Sequence, residues 1–430
     1  WTPHTADIAE LSWRDQIVHL RNHPSVFVWL YGSDNYPPED IERRYIKVLD
    51  EYDGTRPYLS SATQAASKIA GPTGVWMGPY PRVYAYFPPS YWYSKLEFNT
   101  EAGPSGEQIP PLETMRMMMP EEDLWPPSES WELRLHKNFY PIARAAFESR
   151  YGKPSSVEEY SLKAQIFQNE AVKAMFEAYA ANKYKSSGII YWMYNGAWPK
   201  MYWQLYDYFY MPNGAFYAAR SACEPLHVLY SYKEQTVKIV NSLYREFKGL
   251  MVSARIFDFN SREVWSKTAQ ADVEPDESKN VFAVEVPANI TKIYFLRLEM
   301  KDAEGKPVSS NFYWLHADGD EKADFKDLMN LPKTNLKVDA TPLQQKGNRA
   351  RITVTLENTG KNLAFGVNPK ILRSSSRGPV LPVFWDDNYF SLLPGEKRVV
   401  NVEFDVKELK GEKPLLVIES WNTDLLRLEL

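Results

Sequence analysis

The chain changes character near residue 224, and that change limits its fold more than any single motif. Before it, helical and strand-like segments alternate. "DIAELSWRDQIVHLRNH" has helical apolar spacing, and "SVFVWLY" at 25 to 31 reads as a buried strand. "PPEDIERRYIKVLDEYDG" opens on prolines and stops at Gly54, as a helix would. "RPYLSSAT" and "LEFNT" read as further strands. Helices are expected around 139 to 151 and 155 to 183, and a last strand, "GIIYWMY", at 188 to 194. Strands apolar on both faces that alternate with helices predict a parallel sheet, and strand ends rich in polar and aromatic residues predict a barrel whose loops form a site. After residue 224 the pattern becomes short alternating runs, "HVLYSYKEQTVKIVNS", "MVSARIFDF", "NVFAVEVP" and "IYFLRLEMKD", then "NLKVDATPL", "RARITVTLENTG", "PVLPVFW", "RVVNVEFDV" and "KPLLVIESWN", which predict β-sandwiches. The expected organisation is α/β plus all-β: part of a (β/α)8 barrel over 1–223, a sandwich over 224–318, a polar acidic linker over 319–334 and a second sandwich over 335–430.

Composition removes several functions. Fifty basic and 55 acidic residues leave a net charge of -5, which disfavours nucleic-acid binding. A single cysteine, Cys223, excludes a disulfide framework and a cysteine zinc site, and the six histidines never fall at metal-ligand spacing, so no metal or cofactor is expected. No apolar run approaches the roughly 20 residues of a membrane span. The chain begins at Trp1, so an export signal upstream is compatible with the sequence, and an extracellular or periplasmic location is favoured. Aromatic residues make up 14% and crowd into the first 230 positions, which suits both large cores and the flat faces of sugar rings.

The chemistry is sought at the strand ends. "VFVWLYGSDNYPP" runs through an apolar strand, stops at Gly32 and presents Ser33 and Asp34. An Asx-turn or a helix cap is the local alternative for Asp34. "LEFNTEAGPSG" ends a second apolar strand and presents Glu101. Two carboxylates on one barrel rim are what retaining glycoside hydrolysis requires: a protonated one for the leaving oxygen, and an ionised nucleophile about 5 to 5.5 Å away. "IIYWMYNGAWP" adds Trp192, Tyr194, Asn195 and Trp198 as a stacking wall with hydrogen-bonding groups.

Together, "LRNHPSVFVWLYGSDN", "GPYPRVYAYFPPSYWY", "FNTEAGPSG", "YWMYNGAWP", "YDYFYMPNGAFYAARSACEPLH" and "PVFWDDNYFSLLPGE" resemble glycoside hydrolase family 2, and within it the exo-β-D-glucosaminidase branch. The resemblance implies two immunoglobulin-like sandwiches after the barrel, Asp34 as general acid/base after the fourth barrel strand and Glu101 as nucleophile after the seventh. Most of the family carry Asn-Glu where this chain has Ser33-Asp34. A shorter pair leaves room for, and accepts a bond from, a 2-ammonium group, which implies glucosamine at the non-reducing end of chitosan oligosaccharides. Asp34 must then be held protonated near neutral pH, although a free Asp titrates near about 3.9.

Tyr86 and Trp192 are expected to touch sugar or nucleophile. Tyr91, Trp92 and Tyr93 line the mouth or pin the long loop, His136 and His227 are structural, and "WDDN" at 385 to 388 forms a turn. The family's first three barrel strands and its leading domains have no counterpart here, so the missing N-terminal part of the same enzyme is the expected partner. The alternatives are a β-mannosidase or endo-β-mannosidase of the same family, or an inactive carbohydrate-binding or structural fragment.

Overall fold

The computed structural model describes residues 1–33, 35–61, 67–69, 88–94, 97–103, 108–135 and 140–430. The chain divides into two compact units. The first comprises Trp1–Tyr84, Leu96–Ala102 and Ser187–Tyr191; the second comprises Ala85–Lys95, Gly103–Ser186 and Trp192–Leu430.

In the first unit, helix α1 (Pro3–Leu20) starts at Thr2, whose hydroxyl accepts from the Thr5 N–H at 3.2 Å while Thr5 reciprocates, satisfying donors that a helix start leaves open. Strand β1 (Trp29–Leu30) precedes α2 (Glu39–Tyr52). Ile41, Tyr45, Val48 and Leu49 form the buried stripe of α2, and Glu39, Asp40 and Glu42 place negative charge in its first turn. Strand β2 (Tyr58–Leu59) pairs with β1 in parallel, Trp29 opposite Tyr58 and Leu30 opposite Leu59. Trp13, Trp29, Tyr31 and Tyr45 fill the space between helices and strands. Strands β3 (Glu97–Ala102) and β4 (Ser186–Tyr191) form a second two-stranded ladder.

The expected strand over 25 to 31 shrinks to two residues for a visible reason. The Val26 carbonyl accepts from Arg56 Nε at 2.5 Å, and the Val26 N–H donates to His23 O at 3.1 Å, so these groups have no ladder to join. Arg56 also donates to Arg21 O at 2.6 Å and is held by Asp53. Burial raises the Asp53 carboxyl, but bonds from Thr55, Trp29 Nε1 and Arg56 outweigh it and bring the group down to about 2. At the other end, "GIIYWMY" leaves its strand at Tyr191, because the Met193 N–H turns to Trp203 O at 2.8 Å.

In the second unit the helices are α3 (Leu112–Met118), α4 (Glu129–Glu132), α5 (Tyr140–Tyr151), α6 (Val157–Ala181) and α7 (Gly214–Ala222). Ser156 caps α6, accepting from the Glu159 N–H at 3.2 Å. Helix α6 is buried on nearly every side. Helix α7 packs against it so closely that a Cβ at Gly214 would lie 2.3 Å from Gln165 O, so only glycine fits.

The first sandwich holds β5 (Leu226–Ser231), β6 (Thr236–Asn241), β7 (Phe247–Phe257), β8 (Glu263–Val273), β9 (Ser278–Ala283), β10 (Ile293–Lys301) and β11 (Pro307–His316), ordered β5-β6-β9 and β11-β10-β7-β8. The second holds β12 (Leu336–Ala340), β13 (Gln344–Lys346), β14 (Arg349–Asn358), β15 (Ala364–Arg373), β16 (Val383–Trp385), β17 (Phe390–Leu392), β18 (Lys397–Asp405), β19 (Pro414–Glu419) and β20 (Leu426–Glu429). Its sheets run β12-β14-β18-β16, with β13 on β14, and β17-β15-β19-β20. The strands of both pair antiparallel, and inward residues alternate along β14 as Ala350, Ile352, Val354 and Leu356.

The stretch read as a polar linker is anchored. Phe325 and Leu328 are fully buried, in one core with Phe147, Tyr151 and Phe167 from the helices and Phe365 and Trp421 from the second sandwich.

Two polar networks also join helices to sandwiches. Lys370 on β15 lies 2.7 Å from both Glu113 of α3 and Glu419 of β19. Burial would lower the Lys370 ammonium, but the two carboxylates win and hold it firmly charged. His227 on β5 sits between Glu177 of α6 at 3.1 Å and Glu224 at 3.3 Å, while Asn311 and Tyr313 of β11 donate to Glu177 at 2.6 and 2.9 Å. Burial favours the neutral imidazole, but the two carboxylates prevail and push His227 up to about 9.

Candidate functional site

Each proposed catalytic segment is placed by packing behind it. Past β1 the backbone passes so close to the next strand that a Cβ on Gly32 would lie 2.4 Å from Ser60 O and 2.7 Å from Asn35 O. The turn that presents Ser33 therefore needs glycine before it. Ser33 is exposed there, and Asp34 lies outside the described residues. Tyr31, one step back, donates its hydroxyl to Glu42 at 2.7 Å; burial and that carboxylate raise it.

Glu101 stands on β3 between buried neighbours. Its N–H donates to Asn99 Oδ1 at 3.1 Å, and Asn99 and Ala102 are fully buried, whereas Glu101 itself is half-buried. Phe98 links the segments of this unit. It meets Phe27 edge-on at 5.9 Å, and it packs so tightly on β4 that a Cβ at Gly188 would come 2.8 Å from its ring. The first unit thus packs the segment leading to Ser33, the strand bearing Glu101 and the last strand side by side.

In the second unit, Trp192, Asn195 and Trp198 belong to one folded loop. Leu205 and Tyr206 both donate to Tyr194 O at 3.0 Å, and Asn195 bridges to Tyr206. Trp192, Tyr194 and Trp198 are exposed, and so are Tyr208 and Tyr210 just beyond. Five exposed aromatic rings thus fall within twenty positions, each offering an apolar face with a polar edge.

Two titratable groups support this loop. Burial lowers Lys200 to about 8; its ammonium sits 2.7 Å from Met193 Sδ and 4.5 Å from the centre of the Tyr202 ring. Burial raises Asp207 to about 6, although it accepts from the N–H groups of Phe209 and Met211 at 2.8 and 3.0 Å. Lys200 and Asp207 carry no mark in the sequence, whereas the dense "YDYFYMPNG" run signals Tyr208 and Tyr210.

Among the weaker expectations, Tyr86 and His136 lie outside the described residues. Trp92 and Tyr93 are buried, and Tyr93 donates to Tyr230 O at 3.3 Å, so they pin their loop to the first sandwich. His227 is structural, held in the network above. The "WDDN" stretch does not merely turn: Asp386 accepts from Asn401 at 2.7 Å, Asp387 is held by Arg398, and Asn388 donates to Pro369 O at 3.0 Å.

Comparison with known proteins gives a consistent set of relatives. Residues 314–423 match the family described as the exo-beta-D-glucosaminidase Ig-fold domain, and residues 234–317 match the mannosidase Ig/CBM-like domain. An exo-beta-D-glucosaminidase of Streptomyces avermitilis is 33% identical over 98% of this chain and 50% of its own. The exo-chitosanase of Amycolatopsis orientalis, solved with p-nitrophenyl-β-D-glucosamine in an Asp-to-Ala and a Glu-to-Ala variant, superposes with a TM-score of 0.88. It is 30% identical and covers 100% of this chain and 55% of its own. A mannosylglycoprotein endo-beta-mannosidase of Lilium longiflorum is 22% identical over 95% of the chain and 53% of its own. The chain spans about half the length of the curated relatives it matches.

Proposed function

The chain is a homologue of the exo-β-D-glucosaminidases of glycoside hydrolase family 2, and from that premise we propose that it carries the catalytic pair of a retaining hydrolase removing β-linked glucosamine from the non-reducing end of chitosan oligosaccharides. The observation that carries the reading is the likeness along 98% of the chain, with an Asp and a Glu each following an apolar strand segment. It gains support from the exo-chitosanase, which was solved with a glucosamine substrate in variants lacking one Asp or one Glu.

In this reading residues 1–223 are the later part of a (β/α)8 barrel. Asp34 is the general acid/base and Glu101 the nucleophile. Asp34 delivers a proton to the glycosidic oxygen as that bond breaks, while the Glu101 carboxylate bonds to the anomeric carbon. Asp34, now ionised, takes a proton from water. The water oxygen displaces Glu101 and restores the original anomeric configuration. Ser33 faces the 2-ammonium group, Tyr86 bonds the nucleophile or the sugar, and Trp192, Asn195 and Trp198 supply the wall on which the ring stacks. The rest of the enzyme, corresponding to the relatives' other half, is the partner that completes the site.

The test is hydrolysis of the p-nitrophenyl β-D-glucosaminide, mannoside and galactoside by the full-length protein beside its Asp34→Ala and Glu101→Ala variants. Cleavage of the glucosaminide alone, lost in both variants and giving the β-anomer first by NMR, is expected. Preference for the mannoside would transfer the reading to the lily enzyme's activity. Turnover of none of the three would favour a binding or structural role. Ser33→Asn should erode the preference for an amino sugar, and an unchanged preference would remove the argument from Ser33.

A further inference from the structure

A small polar cavity of about 80 Å³ lies where α6, α7 and both sandwiches meet in the second unit. That exceeds several times the roughly 10 to 15 Å³ one water requires. Lys173 of α6, Arg297 of β10 and Arg398 of β18 line it, with Ser221 and Ser310 beside them and Asp387, from the "WDDN" stretch, as the carboxylate on its wall.

The cations are only partly compensated: Glu177 and Glu170 act on Lys173 from beyond ion-pair distance and the Tyr313 ring lies 4.2 Å from its ammonium. Lys173 is buried, donates to Phe312 O at 2.5 Å and Asn311 Oδ1 at 3.3 Å, and has no carboxylate within 4.0 Å among the described residues. Arg297 is only 9% exposed. Its guanidinium makes no hydrogen bond among the described residues, and its buried Nε has an ion-pair contact but no hydrogen-bond partner. Glu396 at 3.4 Å and Glu299 at 3.9 Å approach it, but Arg255 shares both. Arg398 is held by Asp387. A buried guanidinium that has ion pairs but no hydrogen bond leaves its N–H donors short of acceptors, which is costly in an interior.

We propose that this cavity is a binding site for a small inorganic oxyanion of the phosphate or sulfate type. A tetrahedral anion supplies acceptors on every side, which is what a cavity walled by an ammonium, two guanidinium groups and two serines lacks. The volume suits a free ion rather than a phosphorylated sugar. Bound there, the anion ties α6 and α7 to both sandwiches at once.

Calorimetric titration of inorganic phosphate into the full-length protein, at ionic strength held constant with chloride, tests the site. A saturable one-site heat is expected, and sulfate should compete for it. Lys173→Met and Arg297→Gln should each weaken binding roughly 10- to 100-fold, the range of one hydrogen bond to a charged group. Asp387→Asn should tighten it: Asn keeps the oxygen that accepts from the Asn388 N–H at 2.9 Å, while the opposing charge leaves and Arg398 is released to the cavity. This variant carries the test should Lys173→Met fail to fold. Absence of saturable heat in the parent, or phosphate affinity unchanged in Arg297→Gln or in Asp387→Asn, overturns the proposal. Equal competition by chloride overturns its oxyanion specificity.

Discussion

The two sandwiches and the β/α segments solve the same problem of satisfying a strand's backbone in opposite ways. In β7, residues 251–257 pair with β8 on one side and β10 on the other, so main-chain ladders do nearly all the work. In the first unit β1 pairs over two residues, and a side chain, Arg56, takes the carbonyls that flank it. Regular pairing makes a rigid frame that tolerates surface change. Short strands held by individual side chains depend on single residues such as Arg56, Asp53 and Gly32, and their ends carry the proposed catalytic pair.

The sharpest way to separate the two regions is to strike each where it is specialised. Under the proposed mechanism, Glu101→Gln should abolish glucosaminidase turnover, and Asp34→Asn should reduce it by about 10² to 10⁴ on a substrate with a poor leaving group, the typical contribution of acid–base catalysis. Circular dichroism melts of both should match the parent. A large drop in melting temperature for either would assign these residues to the frame. Conversely, Phe167→Ala, in the core shared by α6 and the linker, should cost about 3 to 5 kcal/mol in urea unfolding while sparing KM.

A smaller effect tests the side-chain-held strand. Gly32→Ala must displace the Ser60 backbone and should cost about 1 to 3 kcal/mol, with activity falling more than stability. Smaller still is a dependence on pH in the frame alone. His227 binds its proton more tightly when folded, at about 9 against an ordinary 6.5, so its contribution is complete below 6.5 and disappears as pH rises through about 9. His227→Gln should flatten stability over that interval. A parent whose melting temperature is constant from 6.5 to 9 would contradict the charged network.

The same contrast governs what could be read in advance. Strands such as β10 and β14, with long runs or clean alternation, were legible because burial imposes a period of two. Strand β15 was not: "AFGVNPKILR" contains Gly366 at φ 60° and Pro369, both of which read as breakers. Strand β8 was missed because its residues are nearly all exposed or half-buried, leaving little apolar signal. The strand over 25 to 31 was overextended because periodicity says nothing about a distant arginine claiming its carbonyl. The linker's anchors, Phe325 and Leu328, were hidden in a polar context. For the proposed site, Ser33, Asp34 and Glu101 stood out because each follows an apolar run. Lys200 and Asp207 did not, because burial, which shifts both, is invisible in one dimension.

The charged trio of the largely covered Glu113 and Lys370 and the more exposed Glu419 bears on how such a chain can be inherited. Deleting the second sandwich would leave Glu113 without the lysine it pairs with, and deleting α3 would leave Lys370 with a single carboxylate. A sandwich that looks like a detachable module is thereby bound to the helical layer by charges that only make sense together. Recombination that swapped this sandwich for a foreign one would have to bring a matching lysine, which favours descent of the two as one heritable block.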